Sequence, residues 1–188
     1  MTSTAVVGST GLVGSHILST LLSLPSITNV YSLSRRAPTT TDPKLHPLTD
    51  ADNAQWSPKL TSISPPPSIF FSALGTTKAA AGSFENQRTI DYDLNLALAT
   101  AAKSAGAKVY VLISGNSANP KSSFAKIAGC MSLLGKWAVD FWAQDKDVIA
   151  KAAVSAGLKA LEGGESVPKV WVLEQSEIVK LGRTEWKA

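Results

Sequence analysis

A parallel, doubly wound α/β sheet is the architecture the sequence predicts, on three observations. Three evenly spaced glycines join a short apolar strand to a helix near the start. Apolar β-branched runs then alternate with stretches of helical periodicity, and no internal repeat divides the 188 residues into a second domain.

The elements follow in order. Thr4 to Val7 is the first strand, and Leu12, Val13, Ile17, Leu18, Leu21 and Leu22 mark a helix that Pro25 ends. Asn29 to Ser34 completes a βαβ unit. From Ala37 to Pro67 the chain turns to Thr, Pro, Asp and Ser, with a short third strand at Leu45 to Leu48 that Pro47 pushes toward a sheet edge. Ile69 to Ala73 reads as a buried strand, Ile90 to Ala102 as a helix stopped by Gly106, and Val109 to Ile113 as the fifth strand. Two helices follow, one outlined by Phe124 to Phe141 and one by Val148 to Ala156 that ends before Gly163 and Gly164. Lys169 to Glu174 (KVWVLE) reads as a last strand, and Ser176 to Leu181 as a capped helical turn ending at Gly182. The whole of 1–188 is expected to be one domain, with a nucleotide-binding core over 1–124 and a helical, short-strand part over 125–188.

Charged residues make up 17% of the chain and apolar ones 44%, which excludes the disordered class. The net charge of +4 comes from lysines scattered between Lys44 and Lys187 without interleaved aromatics, so no nucleic-acid partner is expected. The single Cys130 excludes an internal disulfide, no set of metal ligands is present, and a reducing, cytoplasmic setting is the default. The first 34 residues hold no Lys, Arg, Asp or Glu, so they lack the basic residues of a secretory or mitochondrial leader. No run approaches the ~18 consecutive apolar residues of a membrane-spanning helix, so any membrane association is expected to be peripheral.

Gly8, Ser9, Thr10, Gly11, Leu12, Val13 and Gly14 form G-x-x-G-x-x-G at the first strand-to-helix junction, the pattern of a Rossmann-type nucleotide site. A pyrophosphate there must approach backbone N–H groups at the positive end of a helix, and a Cβ would obstruct it. An NAD site would carry an acidic residue about 20 residues further on. Here the second strand ends in Ser34, Arg35 and Arg36, and two guanidinium groups suit a 2′-phosphate, so NADP(H) is the expected cofactor.

With GSTGLVG, SRRAP, DNAQW (Asp52 to Trp56), LGTTKAAAGS (Leu74 to Ser83) and IDYDLNLALATAAKSAG (Ile90 to Gly106), the chain resembles the atypical short-chain dehydrogenase/reductase superfamily. Within it, the likeness is to the fungal mitochondrial proteins related to the metazoan Tat-interacting oxidoreductase. It runs from Thr4 to Phe124 and resumes from about Lys126. The resemblance implies a Rossmann fold, cofactor contacts from the glycine loop, Arg35, Arg36, Ser72, Ala73, Leu74 and Thr76, and peripheral attachment to the mitochondrial outer membrane; it names no protein partner. It also places Asn95, four residues after Asp91 on the same helix face, behind the active site.

The chain departs from that pattern where catalysis is expected. Relatives carry a serine pair at the end of the fifth strand, then Tyr-x-x-x-Lys on a helix, then a further strand. This sequence has Ser114 followed by Gly115 and no tyrosine after Tyr110, so the sheet is expected to be shortened after its fifth strand by loss of an internal segment. Ser114 is the remaining catalytic candidate. Lys121 and Lys126 have no phenol to act on, and neither His16 nor His46 has a motif that would activate Ser114 or Ser117 as a nucleophile. Trp137 and Trp142 suit a helix core better than a lipid-facing surface.

Overall fold

The computed structural model describes residues 2–114, 145–163 and 167–187. Strands β1 (Thr2–Val7), β2 (Ile27–Ser34), β3 (Leu45–Thr49), β4 (Ile69–Ser72) and β5 (Val109–Leu112) form one sheet in the order β3-β2-β1-β4-β5, every pair parallel. Parallel neighbours need crossovers; the loop 35–44 joins β2 to β3, and the other connections carry helices: α1 (Gly14–Ser23), α2 (Trp56–Thr61), the short α3 (Lys78–Ala81) and α4 (Phe84–Arg88), and α5 (Asn95–Ala105). Further on lie α6 (Lys146–Gly163) and α7 (Gln175–Val179).

The pleat sends alternate side chains to two cores. Val6, Val30, Ile69 and Phe71 face α1 and α6, where they meet Ile17, Leu21, Ala150 and Val154. Ala5, Val7, Leu33 and Phe70 face α2 and α5, where they meet Trp56, Leu60 and Leu98. Burial on both faces explains why Ala5 to Val7 of β1 and Ile69 to Phe71 of β4 read as apolar runs. Each Leu, Ile or Phe so buried contributes roughly 1.5–3 kcal/mol.

Pro47 lies on the edge strand β3, opposite Ser32, where its missing N–H breaks no central ladder. Lys44 then closes α1 from outside by donating to Leu22 O and Leu24 O at 2.9 Å each, a cation on the last carbonyls of a helix. α5 stops at Gly106, whose φ of +99° ends the helix in the left-handed region.

Three expectations change. Lys169 to Glu174 is not a strand among the described residues: Trp171 and Leu173 turn onto Ala152, Ala156 and Leu181, while Val170 and Val172 stay exposed. Alternation reports one-sided burial, and here the buried side rests on a helix instead of a hydrogen-bonded neighbour. Gly182 is not a helix stop either; it sits inside a π turn, Lys180–Thr184, so close to the Val148 carbonyl that a Cβ would collide with it. The uncertain stretch before β4 holds α2, anchored by Trp56, whose Nε1 donates to Asp50 O at 3.0 Å. The helix expected over Phe124 to Phe141, with Lys121, Cys130, Trp137 and Trp142, lies outside the described residues.

Candidate cofactor site

The ends of β1, β2 and β4 meet where the strand order reverses, the place where open α/β sheets bind ligands. The loop after β1 is shaped by its glycines. Gly8 has φ +78°, and a Cβ there would lie 2.6 Å from the Ala73 carbonyl oxygen. A Cβ on Gly14 would collide with the Gly8 carbonyl, whereas one on Gly11 would meet only Gly8 O at 3.2 Å. Two glycines are thus packing requirements, and the middle one lies on the open side of the turn.

Gly11 N–H donates to Gly8 O at 2.9 Å and Ser15 N–H to Gly11 O at 3.0 Å, which turns the chain into α1. No acceptor among the described residues takes the N–H of Leu12 or Val13. Those donors stand at the start of a ten-residue helix with no acidic residue in its first turn, a setting that favours an anion.

Ser9 is buried, and its Oγ pairs with Ser32 Oγ of β2 at 2.7 Å, tying the glycine loop to the strand that carries the arginines. Ser34 Oγ donates to Arg36 O at 2.7 Å and folds the strand end back. Arg35 and Arg36 are exposed, and among the described residues neither joins an ion pair. Together with Ser9, Thr10, Ser15, Leu18 and the turn Ala37 to Thr40 they line a cleft of about 450 Å³ that contains no carboxylate.

The loop after β4 lies against the glycine loop, with the Ala73 and Leu74 backbone beside Gly8, and side chains hold it. Ser72 is fully buried, and its Oγ donates to Asn95 Oδ1 at 2.5 Å, so its hydroxyl braces the loop and does not face the cleft. Asn95 Nδ2 donates to Asp91 O at 3.1 Å and reaches Leu74 O at 3.4 Å. Thr76 N–H donates to Asp91 Oδ1 at 2.7 Å. Tyr110, stacked on Phe70 with ring centroids 5.5 Å apart, lies with its hydroxyl 3.3 Å from Asn95 Oδ1. Burial pushes the Tyr110 phenol above its ordinary pKa, against the pull of the Ser72 hydroxyl.

The predicted loop Gly8 to Gly14 and the Arg pair therefore come together, while Ala73 and Leu74 abut that loop from the β4 side and Thr76 is turned to Asp91 and Gln87. Ser114 is exposed just past β5 and ends the described segment. Sequence reading missed Ser32, Gln87 and the hydroxyls of Thr39 and Thr40; only the Thr run after the Arg pair carried any signal.

Residues 4–132 match the NAD dependent epimerase/dehydratase family. The chain belongs to that family. Within it the chain also belongs with the fungal fmp52 proteins, being 42% identical to fmp52-1, mitochondrial, of Aspergillus terreus over 97% of this chain and 100% of the relative. FMP52, mitochondrial, of Chaetomium globosum is likewise 42% identical, over 100% of both chains. Both alignments run to 233 positions, more than the 188 residues of this chain, so stretches of these relatives have no counterpart here.

Solved structures share the fold. MoeE5 in complex with UDP-glucose and NAD matches with a TM-score of 0.51 at 21% identity, over 64% of this chain and 39% of that one. The Bordetella bronchiseptica enzyme WbmF in complex with NAD+ matches with a TM-score of 0.50 at 18% identity, over 63% and 40%. The family member is thus a five-stranded Rossmann-like sheet spanning well under half of those dinucleotide-bound chains.

Proposed function

We propose that this fmp52 relative binds NADP(H) between its glycine loop and Arg35 and Arg36, lacks ordinary catalytic turnover, and works as a cofactor-dependent binding protein peripheral to the mitochondrial outer membrane. The composition of the cleft carries the reading: hydroxyls and two guanidinium groups line it, with no carboxylate, beside the open N–H groups of the glycine loop. The residues fit the cofactor, because Gly8 and Gly14 pack the loop without side-chain bulk and leave Leu12 and Val13 N–H for a pyrophosphate. Each charge-assisted bond from Arg35 or Arg36 to a 2′-phosphate is worth ~1.5–3 kcal/mol, about tenfold or more in preference over NAD.

Bound nicotinamide would supply hydride; the difficulty is the proton. No tyrosine follows Tyr110, and the three present are occupied elsewhere. Tyr31 OH reaches Ser64 O, Tyr92 lies exposed under the Arg88 guanidinium, and Tyr110 is held by Asn95. The alignment gaps support loss of the segment that carries Tyr-x-x-x-Lys, which we place after Phe124. A missing general acid costs about 10²- to 10⁴-fold in rate. A second reading, an oxidoreductase using Ser114 and a water, draws on the exposed position of Ser114 at the same end of the sheet as the cleft.

The mitochondrial placement rests on the names of the relatives, and a peripheral mode is consistent with the absence, among the described residues, of any helix long and apolar enough to cross a membrane. Titration with NADPH and NADH, read by nicotinamide fluorescence, tests the binding. Saturable NADPH binding that weakens about tenfold or more in Arg35→Ala/Arg36→Ala, with NADH unchanged, is the expected result. No saturable NADPH signal refutes it, and robust NADPH oxidation over a panel of aldehydes and ketones replaces the inactive reading with the Ser114 one.

A further inference from the structure

Sheet order places the two walls of the site on opposite sides of β1: Arg35 and Arg36 follow β2, and the loop Ala73 to Thr76 follows β4. A dinucleotide laid across the end of β1 with its 2′-phosphate on the arginines brings its other half to the β4 loop. What fixes that loop is a pair of side chains on the helix behind it. Asp91 Oδ1 accepts from Thr76 N–H at 2.7 Å, while Gln87 Nε2 donates both to Thr76 O and to Asp91 Oδ2, each at 3.2 Å. The backbone N–H and C=O of Thr76 are therefore both held by this pair.

A local break in helix geometry lies beside the grip. Residues Thr89–Leu94 form a π turn between α4 and α5, and such turns recur at functional sites. Asn95 Nδ2 reaches Ile90 O and Asp91 O within that turn. Asp91 itself is exposed and has no basic partner among the described residues, so its carboxylate serves Thr76 and Gln87 instead of an ion pair.

We infer that Asp91 and Gln87 are positioning residues that hold the β4 loop to receive the nicotinamide half of the dinucleotide. The inference rests on the proposed dinucleotide site and goes beyond it by dividing that site into two halves with separate supports.

The test compares two ligands on the full chain: NADPH, which occupies both halves, and 2′,5′-ADP, which occupies only the arginine half. Asp91→Ala is expected to weaken NADPH about tenfold, through loss of the charge-assisted hydrogen bond that holds Thr76 N–H, and to leave 2′,5′-ADP within about twofold. Asp91→Asn keeps an acceptor for Thr76 N–H and is expected to restore NADPH affinity to within about threefold. Gln87→Ala, a milder change for use should Asp91→Ala fail to fold, is expected to weaken NADPH about threefold and 2′,5′-ADP not at all. Equal losses for both ligands, no loss for either, or an Asp91→Asn no better than Asp91→Ala would overturn the inference. Failure of the unaltered chain to bind either ligand sinks the dinucleotide site itself; binding of 2′,5′-ADP without a selective effect of these variants sinks only the positioning role.

Discussion

The loops after β1 and β4 lie against each other and are held in place by different means. The loop after β1 is fixed by backbone packing: Gly8 and Gly14 leave no room for a Cβ, and the turn closes through Gly11 N–H on Gly8 O. The loop after β4 is fixed by side chains from a distant helix, Ser72 and Leu74 through Asn95, and Thr76 through Asp91 and Gln87. A backbone-packed loop tolerates no added atom, whereas a side-chain-braced loop degrades one hydrogen bond at a time.

The sharpest way to break this contrast is Gly14→Ala. The added methyl collides with the Gly8 carbonyl and lies 3.2 Å from Ala73 Cβ, so the loop must shift. A loss of about 1–3 kcal/mol in denaturant unfolding is expected, with NADPH binding abolished. Retained binding and unchanged stability would mean that the glycine loop is as forgiving as its neighbour.

A smaller effect on binding is expected from Asn95→Ala. The buried Asn95 links Ser72, Leu74 and the π turn, and its removal leaves the Ser72 hydroxyl without its acceptor, at a cost of about 1–3 kcal/mol. NADPH affinity should fall but remain measurable, because the arginine half of the site is untouched. Complete loss of binding in this variant would erase the distinction between the two loops.

The smallest effect is a pH dependence. Burial raises the Tyr110 pKa above 10.0, so the folded chain keeps this proton in a range where the unfolded chain releases it. Stability from this group is therefore complete below about pH 10 and falls as pH rises from there through the folded value. Tyr110→Phe should flatten that alkaline decline when unfolding is followed between neutral pH and pH 11. An unchanged profile would separate Tyr110 from the Asn95 network.

The intact mass of the endogenous protein bears on the catalytic half of the proposal. A mass well above 19.7 kDa would show that the cell makes a longer chain and would return the missing tyrosine segment to the site.

What the sequence alone determined were the features governed by local rules. Glycine spacing, β-branched runs and helical periodicity gave the five strands, α1, α5 and the glycine loop, because steric exclusion and amphipathic burial act over a few residues. The tyrosine deficit was legible for the same reason, being a fact of residue type. Only the tertiary structure decided the rest. KVWVLE alternates like a strand but lies on α6, since period-two burial does not reveal what covers the buried side. Asp91 and Asn95 were legible as one helix face behind the site, but only the folded β4 loop gave them separate partners, and no local pattern encodes a hydrogen bond formed across 15 or 23 residues of chain.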